Sequence, residues 1–533
     1  MESVTVKNKI GLLSVIAIST TGIIGSGWLF SAYLGAKVAG AAVYVSWILT
    51  LIFFILMSLV ISEIVSIFPV RGIIGRMGAL SHNKYFGAIF AFAIWLELIG
   101  SIPGEAQASV EYLANISPWL SHLLISNGAL TTAGIGFTVL FLVAFWMANL
   151  FGIKLFTRIN NSIAVIKVFL PAIIALIIMG ASFHPANFTA YEGSFMPYGY
   201  NSIILAMTST GMLYSFNGFQ LCASFASEIR NPGRNLPLGM VISIILCFLI
   251  YVILQTSFIG ALDTAQLANH GWLKLDFTSP FAQLATLVGL NFLTVVLYVD
   301  ACISPSGTGV TFVGSGSRVL SSMAAERQMP QFFAVLDKKH NFEKRAIIFN
   351  FGVALIFLFL FHSRAVLINF ITALIILMYM VVPITLIALR HSHAETVRSY
   401  KLPFAFLICC ALFVIQAIFF IFIGAKDMQY LTITMTVLIG VFLSINAHGN
   451  DGYSFMDIVK LSVPFLAFLW AITVLILIGP ISYGGNDYLS YGVFYPLYIA
   501  VSIYAFYFFT NKKFVAKCQA IRHLDNAKLS EQK

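Results

Sequence analysis

Charge is what this sequence has least of: Asp, Glu, Lys and Arg together make up 9% of its 533 residues, whereas soluble domains run at about 25%. A chain so short of charge cannot coat a water-facing surface of ordinary size. Cysteine is sparse as well. Of the six present, Cys222, Cys247, Cys302, Cys409 and Cys410 fall in apolar stretches without paired loop spacing, which reads as small buried side chains and argues against a disulfide framework or a thiolate metal site. Histidine is missing from the middle of every apolar run. All ten fall in loops or at run ends, so haem bridging between helices is not expected. There is also no nucleotide-binding loop and no catalytic constellation at a membrane face. No catalytic residue, cofactor or metal is expected, and a membrane enzyme or redox subunit has no motif to support it.

What the chain has instead is apolar length. Residues of the apolar class reach 59%, above the roughly 45–50% of soluble chains. Uncharged runs of about 20 residues, long enough to cross a roughly 30 Å hydrocarbon layer as a helix, recur near residues 11–36, 41–68, 86–117, 130–150, 156–180, 200–226, 235–260, 281–317, 345–361, 365–389, 403–424, 429–446, 456–478 and 490–510. This pattern predicts an all-α polytopic membrane protein with about 14 transmembrane helices. The first run continues through Phe30 with no cleavage site after a short apolar core, so it is read as a span and not as a signal peptide.

The formal net charge of +10 follows from where the basic residues fall. With the N-terminus in the cytoplasm, Lys37, Lys274, Arg364 and Lys426 lie on outer loops, Lys167 lies inside a helix, and the rest of the 30 Lys and Arg face the cytoplasm. The surplus therefore reads as positive-inside topology and not as a nucleic-acid patch. It predicts a multi-pass protein of the inner (cytoplasmic) membrane with both termini cytoplasmic and the lipid bilayer as its surroundings.

Two spans are interrupted by small residues. The first carries Gly22-Ile23-Ile24-Gly25-Ser26-Gly27, and the sixth has Gly211 and then Asn217-Gly218. Paired broken helices five spans apart mark a midplane site in secondary transporters, because unwinding frees backbone donors and acceptors that need a polar ligand. The plainer reading is close helix packing through small residues.

The segment GIIGSGWLF in the first span and SEIRNPGRNLP after the sixth (Ser227 to Pro237) resemble the amino acid–polyamine–organocation superfamily of permeases. The likeness extends along the chain and is closest to the bacterial aspartate:proton symporter group, with TSFIGA at Thr256 to Ala261 and a DAxxSPxG run beginning at Asp300. The resemblance implies an inverted repeat of five plus five helices, with helices 1 and 6 broken. It also implies a transport core over residues 1–390, accessory helices 11–14 over 391–510 and a cytoplasmic tail over 511–533. It places the substrate's α-carboxylate on the backbone amides of Ile24, Gly25, Ser26 and Gly27, an anion site that a helix N-terminus with close-approaching glycines also makes on physical grounds. Trp28 is placed to help close that pocket. In the sixth span, freed carbonyls at Phe216, Asn217 and Gly218 are implied to take the α-ammonium, with the Phe216 ring as a lid. Gln220 departs from the family, where Glu is common, so no ionised carboxylate acts there. The NPGRNLP loop is read as a structural hinge in which Pro232 and Pro237 stop one helix and start the next.

Ionisable groups inside spans cost roughly 2.5–3.5 kcal/mol each on insertion scales, so each needs a partner or a role. Glu97 and Glu105 lie eight residues apart in the third span, about 80° around a helix, with Pro103 between them; each is a proton site or hydrogen-bonded packing. Glu63 is expected to pair with Arg71 or Arg76, and Glu111 to reach the outer interface. Asp300 precedes Ser304-Pro305-Ser306-Gly307-Thr308-Gly309, which resembles the ion site of sodium-coupled relatives of this fold. Lys167 lies nine residues beyond Arg158, about 14 Å into the span, too deep to snorkel comfortably. In proton-coupled permeases of the family this position carries a lysine whose ammonium stands in for sodium and bridges the fifth span to the first and eighth. Its expected partners here are the backbone near Ile23 and the hydroxyls of Ser304 or Ser306; the alternative is a static tie to Asp300 or a glutamate. Lys167, Asp300, Glu105, Ser304 and Ser306 are the expected proton-coupling set. Symport of an amino acid with protons, an acidic one such as aspartate favoured, is the leading expectation. Exchange of an amino acid for its decarboxylation product on the same fold remains the alternative.

Overall fold

The computed structural model describes residues 10–70, 72–150, 153–337, 343–447 and 455–520. The first nine residues, Arg71, Lys338, Lys339 and the tail from 521 lie outside the described residues. The chain is almost wholly helical: α1 Leu12–Ile23, α2 Gly27–Ala39, α3 Val43–Ile67, α4 Ile73–Ser81, α5 Lys84–Ala114, α6 Pro118–Leu124, α7 Thr132–Leu150, α8 Ile153–Ala181, α9 Gly199–Ser209 and α10 Met212–Phe216. After a 3-10 segment (Phe219–Glu228) follow α11 Pro232–Ala261, α12 Thr264–His270, α13 Pro280–Leu287, α14 Asn291–Ala325, α15 Lys344–Leu360, α16 Arg364–Ser392, α17 Ala405–Ile423, α18 Ala425–Ala447, α19 Phe455–Ile478 and α20 Tyr491–Thr510. Each apolar run falls on helix, but not one to one: the first covers α1 and α2, the sixth covers α9, α10 and the 3-10 segment, and the eighth covers α13 and most of α14. Among the described residues, ten helical stretches are long and apolar enough by themselves to cross a membrane. The longest, Gly27–Ile67, has 41 residues and at 1.5 Å per residue would reach about twice the bilayer core if straight. Gly40, at φ +61°, ends α2 in a conformation that glycine adopts without strain and sends the chain back as α3.

The helix at the centre of the bundle is α5. Every residue from Lys84 to Val110 is buried, as expected of a helix that is apolar all round, and it packs against α14, α16, α4 and α7. Asn83 starts it by accepting from the amides of Tyr85 and Phe86 at 3.0 and 2.9 Å, satisfying two of the donors that a helix start leaves unpaired. A central helix that carries Glu97 and Glu105 presents both carboxyl groups to the interior. The hinge after the sixth span is shorter than its prolines suggest: α11 starts at Pro232, behind Asn231 at φ 47°, and Pro237 lies inside the same helix. Helices α17 to α20 pack on the flank formed by α3, α5, α9 and α16. Residues 512–520 are helical and dock on the α4–α5 turn, where Asn83 Nδ2 donates to the Cys518 carbonyl at 3.2 Å and Gln519 Nε2 donates to the Ser81 carbonyl at 3.0 Å; the end of α20 meets the same turn, with His82 Nε2 2.9 Å from the Phe509 carbonyl.

Glu63 corrects a sequence expectation. Its buried carboxylate meets the guanidinium of Arg390 through two bonds of 2.9 and 2.7 Å, Arg398 at 3.3 Å and the Leu402 amide at 2.7 Å. Arg76 instead pairs with Glu326. The partners come from α16 and the loop after it, more than 300 positions along the chain, where proximity in sequence carries no information.

Candidate substrate and coupling site

The first span breaks between α1 and α2, and the break is bracketed by opposite charges. The C-terminal carbonyls of α1 face donors: Lys167 Nζ reaches the Thr21 carbonyl at 3.3 Å, Thr308 Oγ1 donates to the Ile24 carbonyl at 3.2 Å, and the Tyr251 hydroxyl lies 3.5 Å from the Ile23 carbonyl. The N-terminus of α2 faces an acceptor, since the Ser26 amide donates to Glu105 Oε2 at 2.7 Å. A cation at a helix C-terminus and an anion at a helix N-terminus are each the favourable choice for the local dipole. The side chain of Ser26 makes no capping bond, so it is Glu105 that caps this helix start. Gly25 lies directly under Glu105, where an added Cβ would come within 2.7 Å of Oε1.

The sixth span breaks twice. Between α9 and α10, Gly211 takes φ +79°; after α10, Asn217 is extended and Gly218 sits at φ +110°. The first of these breaks faces a cavity of about 110 Å³ lined by Gly27, Phe30, Leu34, Ser209, Thr210, Gly211, Tyr214, Arg364 and Ile368, among others. The second closes on itself: Gln220 Oε1 accepts from the Gly218 amide at 3.0 Å, and Asn217 Nδ2 donates to Glu97 Oε1 at 2.5 Å. Tyr379 on α16 lies within bonding distance of both Asn217 Oδ1 and Gln220 Oε1. Gly22 and Gly218 bring the two broken spans together backbone to backbone, with 2.8 Å between a Cβ built on Gly22 and the Gly218 carbonyl oxygen. At this pair the packing reading of the glycines holds.

Of the expected substrate-binding residues, Gly27 lines the cavity, while Gly25 and Ser26 lie against the Glu105 carboxylate. Ile24 gives its carbonyl to Thr308. Phe216 is fully buried among Trp47, Phe54 and Tyr251, so its ring packs the core and does not overhang the cavity. Trp28 is buried against Phe281 with ring centroids 5.7 Å apart. Of the expected coupling residues, Lys167 is buried and donates to Thr308 Oγ1 at 2.5 Å, one helical turn beyond Ser304. The expected hydroxyls are not its partners: Ser304 Oγ has none, and Ser306 turns to the Cys302 carbonyl of its own helix at 2.5 Å. Ser306 lies about 200° around α14 from either neighbour, which puts it on the far face. Both carboxyl oxygens of Asp300 are buried without a hydrogen-bond partner, and among the described residues no ion pair joins Asp300 to Lys167.

Two participants escaped the sequence reading. The Tyr214 hydroxyl donates to Glu105 Oε1 at 2.5 Å, joining the third and sixth spans. Arg364, expected on an outer loop, is 7% exposed and lines the cavity. A larger cavity of about 540 Å³, lined by Phe92, Trp95, Phe349, Phe442 and Arg327 among others, touches neither break. A small polar substrate needs convergent polar groups more than volume, so the smaller cavity is the candidate site.

Residues 10–442 match the family model described as amino acid permease. The chain belongs to the amino acid permease family. This permease is 34% identical over 398 residues to the glutamate/serine transporter AimA of Bacillus subtilis strain 168, covering 74% of this chain and 73% of that protein. It is 28% identical over 439 residues to the aspartate-proton symporter of the same organism, covering 82% and 83%. Among solved structures, the permease resembles the manganese transporter of Eremococcus coleocola bound to an aromatic bis-isothiourea compound, with a TM-score of 0.55, 11% identity, and 89% and 100% of the two chains covered. At that identity the likeness is one of fold. Family and architecture together make the permease a multi-pass membrane protein of amino acid transport.

Proposed function

We propose that this permease is a secondary transporter that carries a small amino acid, acidic by preference, across the cytoplasmic membrane together with a proton. The observation that carries the reading is Lys167: a buried amine from α8 holds the Thr21 carbonyl of the broken first span and the Thr308 hydroxyl of α14. A charged ammonium there ties three helices at the break. Loss of its proton weakens the tie and frees the two halves of the first span to move against α8 and α14. Glu105 is the second group through which a proton acts, because a substrate carboxylate seeking the Ser26 amide must displace a carboxylate already bound to it. Protonation of Glu105 removes the repulsion between the two.

The preference for an acidic substrate rests on the relatives, one a glutamate/serine transporter and one an aspartate-proton symporter. In this reading residues 1–390 form the transport core with its five-plus-five repeat, 391–510 the accessory helices and 511–533 a cytoplasmic tail, with both termini inside. The test is uptake into proteoliposomes that contain no substrate, with and without an inward proton gradient. Accumulation driven by the gradient supports symport. Uptake that requires amino acid inside and ignores the gradient would make the protein an exchanger.

A further inference from the structure

The paired breaks offer donors for an α-carboxylate, but nothing described so far reads the side chain of the substrate. We propose that Arg364 binds the side-chain carboxylate of an acidic amino acid seated at the two breaks, an assignment that rests on the proposed transport of amino acids at that site.

Arg364 is the first residue of α16, behind Ser363. This is an unfavourable place for a cation, since the amide dipoles there repel positive charge, and burial adds the cost of desolvation. A guanidinium kept in such a position needs an anion. Its protein partners do not supply one within bonding distance. The guanidinium carbon sits 3.9 Å over the Phe30 ring, Nη2 is 3.4 Å from Ser26 Oγ, and Nε is buried with no hydrogen-bond partner. Among the described residues no carboxylate forms an ion pair with it. Glu105 and Glu111 lie within its electrostatic reach, but Glu105 is already bound to the Ser26 amide and the Tyr214 hydroxyl. The planar fork of arginine suits a carboxylate through two parallel bonds, and here Nε is left without a hydrogen-bond partner on a residue that lines the cavity.

The geometry also sets the size of the ligand. Arg364 touches the side chain of the residue whose amide stands at the α-carboxylate position, so the two anion sites are separated by the length of one small side chain. A molecule bearing two carboxylates on a short carbon chain, one of them beside an amine, bridges them. A neutral amino acid fills the α-carboxylate site alone and leaves Arg364 on Phe30.

The experiment is binding to the purified full-length protein with radiolabelled L-aspartate, L-glutamate and L-serine, for the wild type, Arg364→Gln and Arg364→Lys, each checked for a monodisperse profile in detergent. In Arg364→Gln, affinity for the acidic ligand should fall about 30-fold or more, the loss typical of truncating one partner of a buried charge pair, while L-serine changes by less than about threefold. Arg364→Lys should recover part of the acidic affinity. An equal loss for L-serine would place the arginine on the α-carboxylate and overturn the assignment. So would unchanged acidic binding in Arg364→Gln, which would make the residue a tie to Phe30, or a wild type that binds L-serine and neither acid. A wild type that binds no amino acid in a wider panel would overturn the transport reading itself.

Discussion

Glu105 lends its carboxylate to the Ser26 amide at 2.7 Å, so a side chain of the third span occupies the donor that the broken first span would offer to a substrate carboxylate. A central helix can do this because it is buried along its length, and Gly25 lets the carboxylate approach the backbone.

Replacing Glu105 with Gln should separate occupancy from charge. The amide oxygen still accepts from Ser26, so the fold and substrate binding are expected to survive, but the group no longer takes up a proton. The dependence of uptake on external pH, measured in proteoliposomes, should flatten. A pH profile identical to the wild type would show that Glu105 only packs.

Valine at Gly25 or Gly27 should abolish uptake while leaving folded protein in the membrane. A Cβ on Gly25 meets Glu105 Oε1 at 2.7 Å, and one on Gly27 runs into Ser215; both intrude on the break that must remain open to ligand. Near-normal uptake by both variants would reduce these glycines to helix packing.

Lys167→Ala should lose accumulation driven by a proton gradient and keep substrate binding. Thr308→Val removes the hydroxyl shared by Lys167 and the Ile24 carbonyl, and should lower uptake by about tenfold, the effect of one or two hydrogen bonds. Substrate concentrated by Lys167→Ala under an imposed pH gradient would move the coupling to Glu105 or Asp300.

Glu63→Gln tests stability apart from transport. The carboxylate is fully buried and joins α3 to Arg390, Arg398 and the Leu402 amide. Breaking such a pair costs about 3 kcal/mol, at the low end of the range because the Arg390 side chain is 22% exposed. The melting temperature in detergent should fall clearly, with substrate affinity nearly unchanged. A melting curve that overlays the wild type would show the cluster to be incidental.

The sequence alone determined the membrane class, the positions of the apolar helices, the two broken spans and the place of Lys167 midway along α8. These are local properties: hydropathy over about 20 residues, the effect of glycine on the backbone, and 1.5 Å of rise per residue. It left the partners open. Ser304 and Ser306 looked as suitable as Thr308 for Lys167, because the choice depends on the rotation and height of α14 against α1 and α8. Arg364 read as an outer-loop base, since a cation at the edge of an apolar run looks the same whether water or Phe30 lies beside it. Tyr214 and Arg390 carried no sign of Glu105 and Glu63. Only the packed bundle decided these pairings, because contacts between residues a hundred or more positions apart depend on how helices cross, and no local pattern records that.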